Sequence, residues 1–138
     1  MSVYENLKRL GIEIPKAPDP VGSYVAFKKT ANLLFISGQI SIDSNGKITK
    51  GKLGKELSVE EGKAAAKLCA INIIAQAKKA CDEKLETIRN CIKLTGYVNS
   101  TNDFNDQPKV INGASEIISA VFGENGKHTR AAISANSL

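Results

Sequence analysis

Apolar residues recur along the chain with a helical period in three places and in short runs in four. Over residues 2–10, Val3, Leu7 and Leu10 fall on one helical face and Gly11 supplies a stop. Pro15, Pro18 and Pro20 then exclude both helix and central strand, so this stretch is extended. Residues 24–29 and 33–41 read as two strands joined at Thr30-Ala31-Asn32. The second contains Leu33-Leu34-Phe35-Ile36, a run expected to be buried on both faces. Asn45-Gly46 marks a turn, and residues 48–57 read as irregular with one short strand.

Ser58-Val59-Glu60-Glu61 is a capping box: Ser58 can accept from the amide three residues on, and Glu61 can reach back. It opens a long helix to about residue 80, with Ala64, Leu68, Ile71 and Ala75 as the expected apolar stripe, flanked by Ala65 and Cys69. Its many alanines predict close packing against a sheet. A strand over residues 91–99 and a polar loop lead to Pro108, which suits the first turn of another helix. Val110, Ala114, Ile117 and Val121 make the inner face of that helix, Gly123 ends it, and residues 130–135 form a last strand. The order predicts an α+β fold with helices on one face of a mixed sheet. One such layer leaves the other sheet face bare, so a closed oligomer is expected.

The length of 138 residues fits a single domain spanning 1–138. With 42% apolar residues and no Trp, the core is aliphatic. No apolar run approaches the roughly 20 residues that span a bilayer. Residues 1–10 lack the pattern of a signal peptide, so a cytoplasmic location without membrane association is expected. Cys69, Cys81 and Cys91 have no CxxC spacing; Cys69 and Cys91 read as buried thiols rather than redox groups. The net charge of +5 is spread along the chain, and its densest cluster, Lys47, Lys50, Lys52 and Lys55, has no interleaved aromatics. That reads as a solvated surface, and no nucleic-acid partner is expected.

The single histidine, His128, cannot build a histidine metal cluster alone, and no metal site is expected. No HExxH, GxSxG, GxGxxG or GxxxxGK[ST] occurs. Two segments carry candidate chemistry. In one, Gly22-Ser23-Tyr24 precedes Ser37-Gly38-Gln39-Ile40, which puts polar groups and an open backbone amide at the end of an apolar strand. In the other, Arg130 begins an otherwise apolar strand, where a guanidinium needs a partner. Its planar fork matches a carboxylate, either of a small ligand or of an internal Asp or Glu.

Gly22-Ser23-Tyr24, Ser37-Gly38-Gln39-Ile40, Val110-Ile111-Asn112-Gly113-Ala114 and Thr129-Arg130-Ala131-Ala132 resemble, in order and spacing, the RidA (YjgF, endoribonuclease L-PSP) family. The likeness runs from about Pro18 to the last residue and is close to a subgroup with a longer N-terminus, here an extension over 1–17. It implies a chorismate-mutase-like fold, a homotrimer with sites between subunits, and no cofactor. It also implies hydrolysis of reactive 2-imino or enamine acids to 2-keto acids and ammonia. By this resemblance Arg130 holds the substrate carboxylate, Gly38 and Asn112 help bind it, and Tyr24 and Ser37 hydrogen-bond the nitrogen or the water. His128 receives no role.

Two features depart from the deaminating members. They carry a cysteine or similar residue where this chain has Ala132, and a glutamate on a C-terminal strand expected to be missing here after Leu138. A non-catalytic trimer that binds small carboxylates is the alternative expectation. A third, RNA cleavage or translation inhibition, finds no paired acid and base among these residues.

Overall fold

The computed structural model describes residues Met1–Leu138. The chain runs α1 (Val3–Arg9), β1 (Phe27–Thr30), β2 (Leu33–Ile36), α2 (Val59–Ala80), β3 (Lys93–Asn99), α3 (Gln107–Phe122) and β4 (Thr129–Ala135). The serine cap predicted at Ser58 forms, and Ser2 makes a second one that was not expected from the sequence. Ser2 Oγ accepts from the Glu5 amide at 3.1 Å while Glu5 Oε2 accepts from the Ser2 amide at 2.7 Å. Ser58 and Glu61 repeat the arrangement at the start of α2. Pro108 sits in the first turn of α3, and Gly123, at φ 61°, ends it in a conformation that glycine adopts without strain.

The strands form two ladders. Antiparallel β1 and β2 pair Thr30 with Leu33, so Ala31-Asn32 makes a tight turn. Parallel β3 and β4 pair Leu94 with Arg130 and Gly96 with Ala132. The α+β class stands, while the expected mixed sheet is divided into one antiparallel and one parallel pair. Strands β1 and β2 are also shorter than residues 24–29 and 33–41 predict.

Two expectations are corrected. Leu33 and Phe35 are exposed, by 42% and 60%, while Leu34 and Ile36 are half-buried against the core. The run is therefore buried on one face only, because helices cover just that side. On α2, Ala64 is exposed, and Leu68 and Ile71 are only half-buried. The core stripe is Ala66, Ala70, Ile74 and Ala77. Its partner is chiefly α3 rather than a sheet. Glycines decide this crossing. A Cβ at Gly113 would collide with the Lys63 carbonyl and lie 2.8 Å from its carbon, and one at Gly62 would lie 2.8 Å from Leu53 Cδ1. The helices meet where side chains are absent.

Two polar residues of α2 are buried and serve as clamps. Asn72 Nδ2 donates to the carbonyls of Ile40 and Ile42 at 3.1 and 3.0 Å, and Gln76 Nε2 donates to the Pro18 carbonyl at 2.6 Å. They tie the loops on either side of the hairpin to the helix and so satisfy backbone groups that no strand pairs. Helix α1 docks on the end of α3 through Asn6 Nδ2, which donates to the Val121 carbonyl at 3.0 Å. No helix is long and apolar enough to cross a membrane.

Candidate functional site: an arginine held by neutral acceptors

Arg130 owes its direction to strand register. It lies opposite Leu94, which is buried against α3, so the arginine side chain shares that inward face. Next along the ladder, Gly96 leaves room for Ile111 of α3, whose Cδ1 would otherwise clash with a Cβ. The helix therefore lies close over the start of β4.

Pro108, Asn112 and Ser115 are spaced by four and three residues, which places them on one stripe of α3. All three receive the guanidinium. Arg130 Nη1 donates to Asn112 Oδ1 at 2.7 Å and to Ser115 Oγ at 3.3 Å, and Nη2 donates to the Pro108 carbonyl at 3.3 Å. Every acceptor is neutral. None of the ion pairs in the chain includes Arg130. The two acidic residues on this part of the chain are engaged elsewhere, Asp106 with Lys109 at 3.3 Å and Glu116 with Lys63 at 3.7 Å. The internal salt bridge considered for Arg130 does not form.

A guanidinium has five N–H donors. Three are engaged here, and the two that remain are on Nε and Nη2. That pair can take a carboxylate side-on in two parallel hydrogen bonds. The arginine is half-buried, its charge has no counter-ion, and its remaining donors have no protein partner.

Ser115 continues the network. Its Oγ lies 2.9 Å from His128 Nε2, and His128 Nδ1 lies 2.6 Å from the Gly126 carbonyl. Neither residue was singled out as functional from the sequence. The helical spacing of Ser115 from Asn112 is the available signal, and His128 stands out in the sequence as the single histidine, two residues before Arg130, with no role assigned to it.

The other predicted residues sit on the hairpin side of the molecule. Ser37 Oγ donates to the Val25 carbonyl at 2.6 Å, and the Ser37 amide donates to the Ala26 carbonyl at 2.9 Å. The Tyr24 hydroxyl accepts from the Val21 amide at 3.3 Å, and half of this residue is exposed. Gly38 is exposed and a Cβ there would meet nothing within 4 Å. The structure thus joins Arg130 to Asn112, holds Ser37 on the Val25 and Ala26 carbonyls, and folds the Tyr24 ring back over Gly22; no hydrogen bond links these residues to Arg130 within one chain. Two clefts of about 260 Å3 lie between α2 and the extended segment near Pro15, and no predicted site residue lines them.

The fold has counterparts. A family model described as "YjgF/chorismate mutase-like, putative endoribonuclease" matches residues 5–138. This chain belongs to the YjgF, or RidA, family. Protein TCP17 of Trypanosoma cruzi is 39% identical over 137 residues, covering 99% of this chain and 85% of that protein. Among solved structures, the Agrobacterium tumefaciens protein Atu1372, described as of unknown function, is 44% identical with a TM-score of 0.90, over 99% of this chain and 82% of that one. A Shewanella oneidensis structure described as "a putative endoribonuclease" is 32% identical with a TM-score of 0.95, over 100% of this chain and 91% of that one. The chorismate-mutase-like fold expected from the sequence is therefore established for this RidA-family chain.

Proposed function

We propose that this protein is a cofactor-independent imine/enamine deaminase of the RidA type, which hydrolyses 2-imino acids to 2-keto acids and ammonium. The observation that carries the reading is the state of Arg130: charged, without a counter-ion, and held by Asn112, Ser115 and Pro108 with two N–H donors unused. A small carboxylate completes it.

The chemistry needs little more than orientation. Water adds to the carbon of a protonated imine, the resulting aminoalcohol loses ammonia, and the carbonyl of the keto acid forms. The carbon is already electrophilic, so fixing the substrate through its carboxylate and placing one water supplies much of the effect. Tyr24 and Ser37 offer hydroxyls, and Gly38 an open amide, for the nitrogen and the water. No hydrogen bond ties them to Arg130 in one chain, and the reading includes a homotrimer in which neighbouring copies bring the two groups together. The exposed Leu33, Phe35, Tyr97 and Ile133 on the uncovered strand faces suit such an assembly. The setting we assign is the cytoplasm, where dehydratases acting on serine and threonine release imines of this kind.

The test is keto-acid release from 2-iminopropanoate generated in situ. Added protein accelerates it and Arg130→Ala abolishes the acceleration. Folded protein with no effect on the rate moves the reading to a non-catalytic carboxylate binder, which the small, half-buried Ala132 beside the site favours. RNA cleavage finds less support, because both ring nitrogens of the one histidine are already hydrogen-bonded within the chain.

A further inference from the structure

His128 and Ser115 have no part in the reading above, yet they complete a continuous chain of hydrogen bonds that ends on the Arg130 guanidinium. The direction of every bond in it follows from its far end. A backbone carbonyl only accepts, so the 2.6 Å contact between Gly126 O and His128 Nδ1 puts the ring proton on Nδ1. In the neutral ring Nε2 is then an acceptor, and Ser115 Oγ, 2.9 Å away, donates its one proton to it. With that proton committed, the lone pairs of Ser115 Oγ are left to face Arg130 Nη1 at 3.3 Å.

The anchor of the chain is rigid. Gly126 is buried, and a Cβ there would collide with the Ile118 carbonyl and lie 2.9 Å from Ser119 Cα. The turn carrying Gly126 is thereby pressed onto α3. It is also tied to the approach of β3, because the Cys91 amide donates to the Asn125 carbonyl at 2.6 Å. On the far side of His128, the Thr129 amide and hydroxyl both donate to the Ile92 carbonyl, at 3.0 and 2.8 Å. The ring is fixed from both sides, and its two polar atoms are spent on Gly126 and Ser115.

We propose that His128 and Ser115 are positioning residues that fix Ser115 Oγ as an acceptor for Arg130, so that Nη1 stays turned to α3 and the Nε–Nη2 edge stays open to a carboxylate. The proposal rests on the reading of Arg130 as a carboxylate anchor. Without the histidine, the serine hydroxyl is free to turn its proton toward the guanidinium or to solvent, and Arg130 loses one of its holds. Asn112 and the Pro108 carbonyl remain, but Nη1 then keeps a single acceptor and the guanidinium is held to α3 by two contacts instead of three. The effect belongs to ligand affinity, since neither residue touches the reacting carbon.

The experiment is calorimetric titration of pyruvate into the full chain and into Ser115→Ala, Ser115→Thr, His128→Phe and Arg130→Ala, with long-range 1H–15N NMR of the histidine ring. Loss of one hydrogen bond to a charged group is worth about a tenfold change in affinity. Ser115→Ala and His128→Phe are expected to weaken pyruvate by about that factor. Ser115→Thr, which keeps the hydroxyl, restores most of the affinity, a rescue that a packing role alone would not give. The neutral ring is expected to carry its proton on Nδ1. Variants that bind as well as the parent chain, or a ring protonated on Nε2, would overturn the relay while leaving the anchor intact. A parent chain that takes up no pyruvate overturns the anchor itself. Should His128→Phe fail to fold, Ser115→Ala decides the matter, because alanine is favoured in a helix.

Discussion

Gly113 of α3 lies directly against the backbone carbonyl of Lys63 in α2, with no space for a side chain between them. Asn112, the preceding residue, therefore reaches Arg130 from a helix whose distance from α2 is set by a backbone contact. Gly113→Ala would push α3 outward. We expect it to lower the free energy of unfolding by about 2 kcal/mol, the cost of forcing a methyl into a filled interface. Urea unfolding measures this, and an unchanged midpoint would show that the helices separate freely.

Asn72 holds two backbone carbonyls that no strand pairs, those of Ile40 and Ile42. Asn72→Ala removes both donors at once. The expected loss is about 2–3 kcal/mol from leaving acceptors without partners, partly offset by the better helix propensity of alanine. Faster amide exchange confined to the loop around residues 40–48 would accompany it. A variant as stable as the parent chain would mean that water replaces the side chain at no cost.

These residues show how much of the fold was legible in the sequence. The caps Ser58 and Glu61, the stop at Gly123 and the inner face of α3 were readable because local chemistry fixes them. The core stripe of α2 was not. Ala64, Ala65, Ala66, Leu68, Cys69, Ala70, Ile71, Ile73 and Ile74 wrap the helix almost completely, and only contact with α3 selects Ala66, Ala70 and Ile74. Asn72 and Gln76 carry no periodic signal that separates a buried clamp from a solvated position. At the site, Arg130 was conspicuous as a cation opening an apolar strand. The part played by Ser115 and His128 was not, because only the pairing of Leu94 with Arg130 reveals which stripe of α3 the guanidinium meets.

Burial pushes the Cys69 thiol up to about 11 from its ordinary 9.0. The neutral thiol is the form the fold prefers. Its contribution to stability is intact below pH 9 and is lost as the pH rises through about 11. At pH 8 the thiolate fraction is lower than in the unfolded chain by about a hundredfold, two pKa units. Alkylation of Cys69 by iodoacetamide is expected to slow by at least that factor in native protein relative to protein in urea. Equal rates would contradict the burial of this thiol.

Phe35 and Tyr97 project, 60% and 63% exposed, from strand faces that no helix covers. If copies of the chain cover them, Phe35→Glu separates the assembly without unfolding the protomer. Sedimentation is expected to give three copies for the parent chain and one for the variant, with unchanged far-ultraviolet dichroism. A parent chain that sediments as a monomer at micromolar concentration would remove the trimer from the account. It would also leave Tyr24 and Ser37 without a route to Arg130.

The most direct measurement is the affinity of pyruvate for the parent chain and for Arg130→Ala, taken by calorimetry on protein whose fold is checked by dichroism. A carboxylate held side-on by Nε and Nη2 in charge-assisted hydrogen bonds predicts binding to the parent chain and a loss of at least about 2 kcal/mol in the variant. Pyruvate bound equally well without the guanidinium would place the ligand elsewhere and contradict the assignment of Arg130 as the carboxylate anchor.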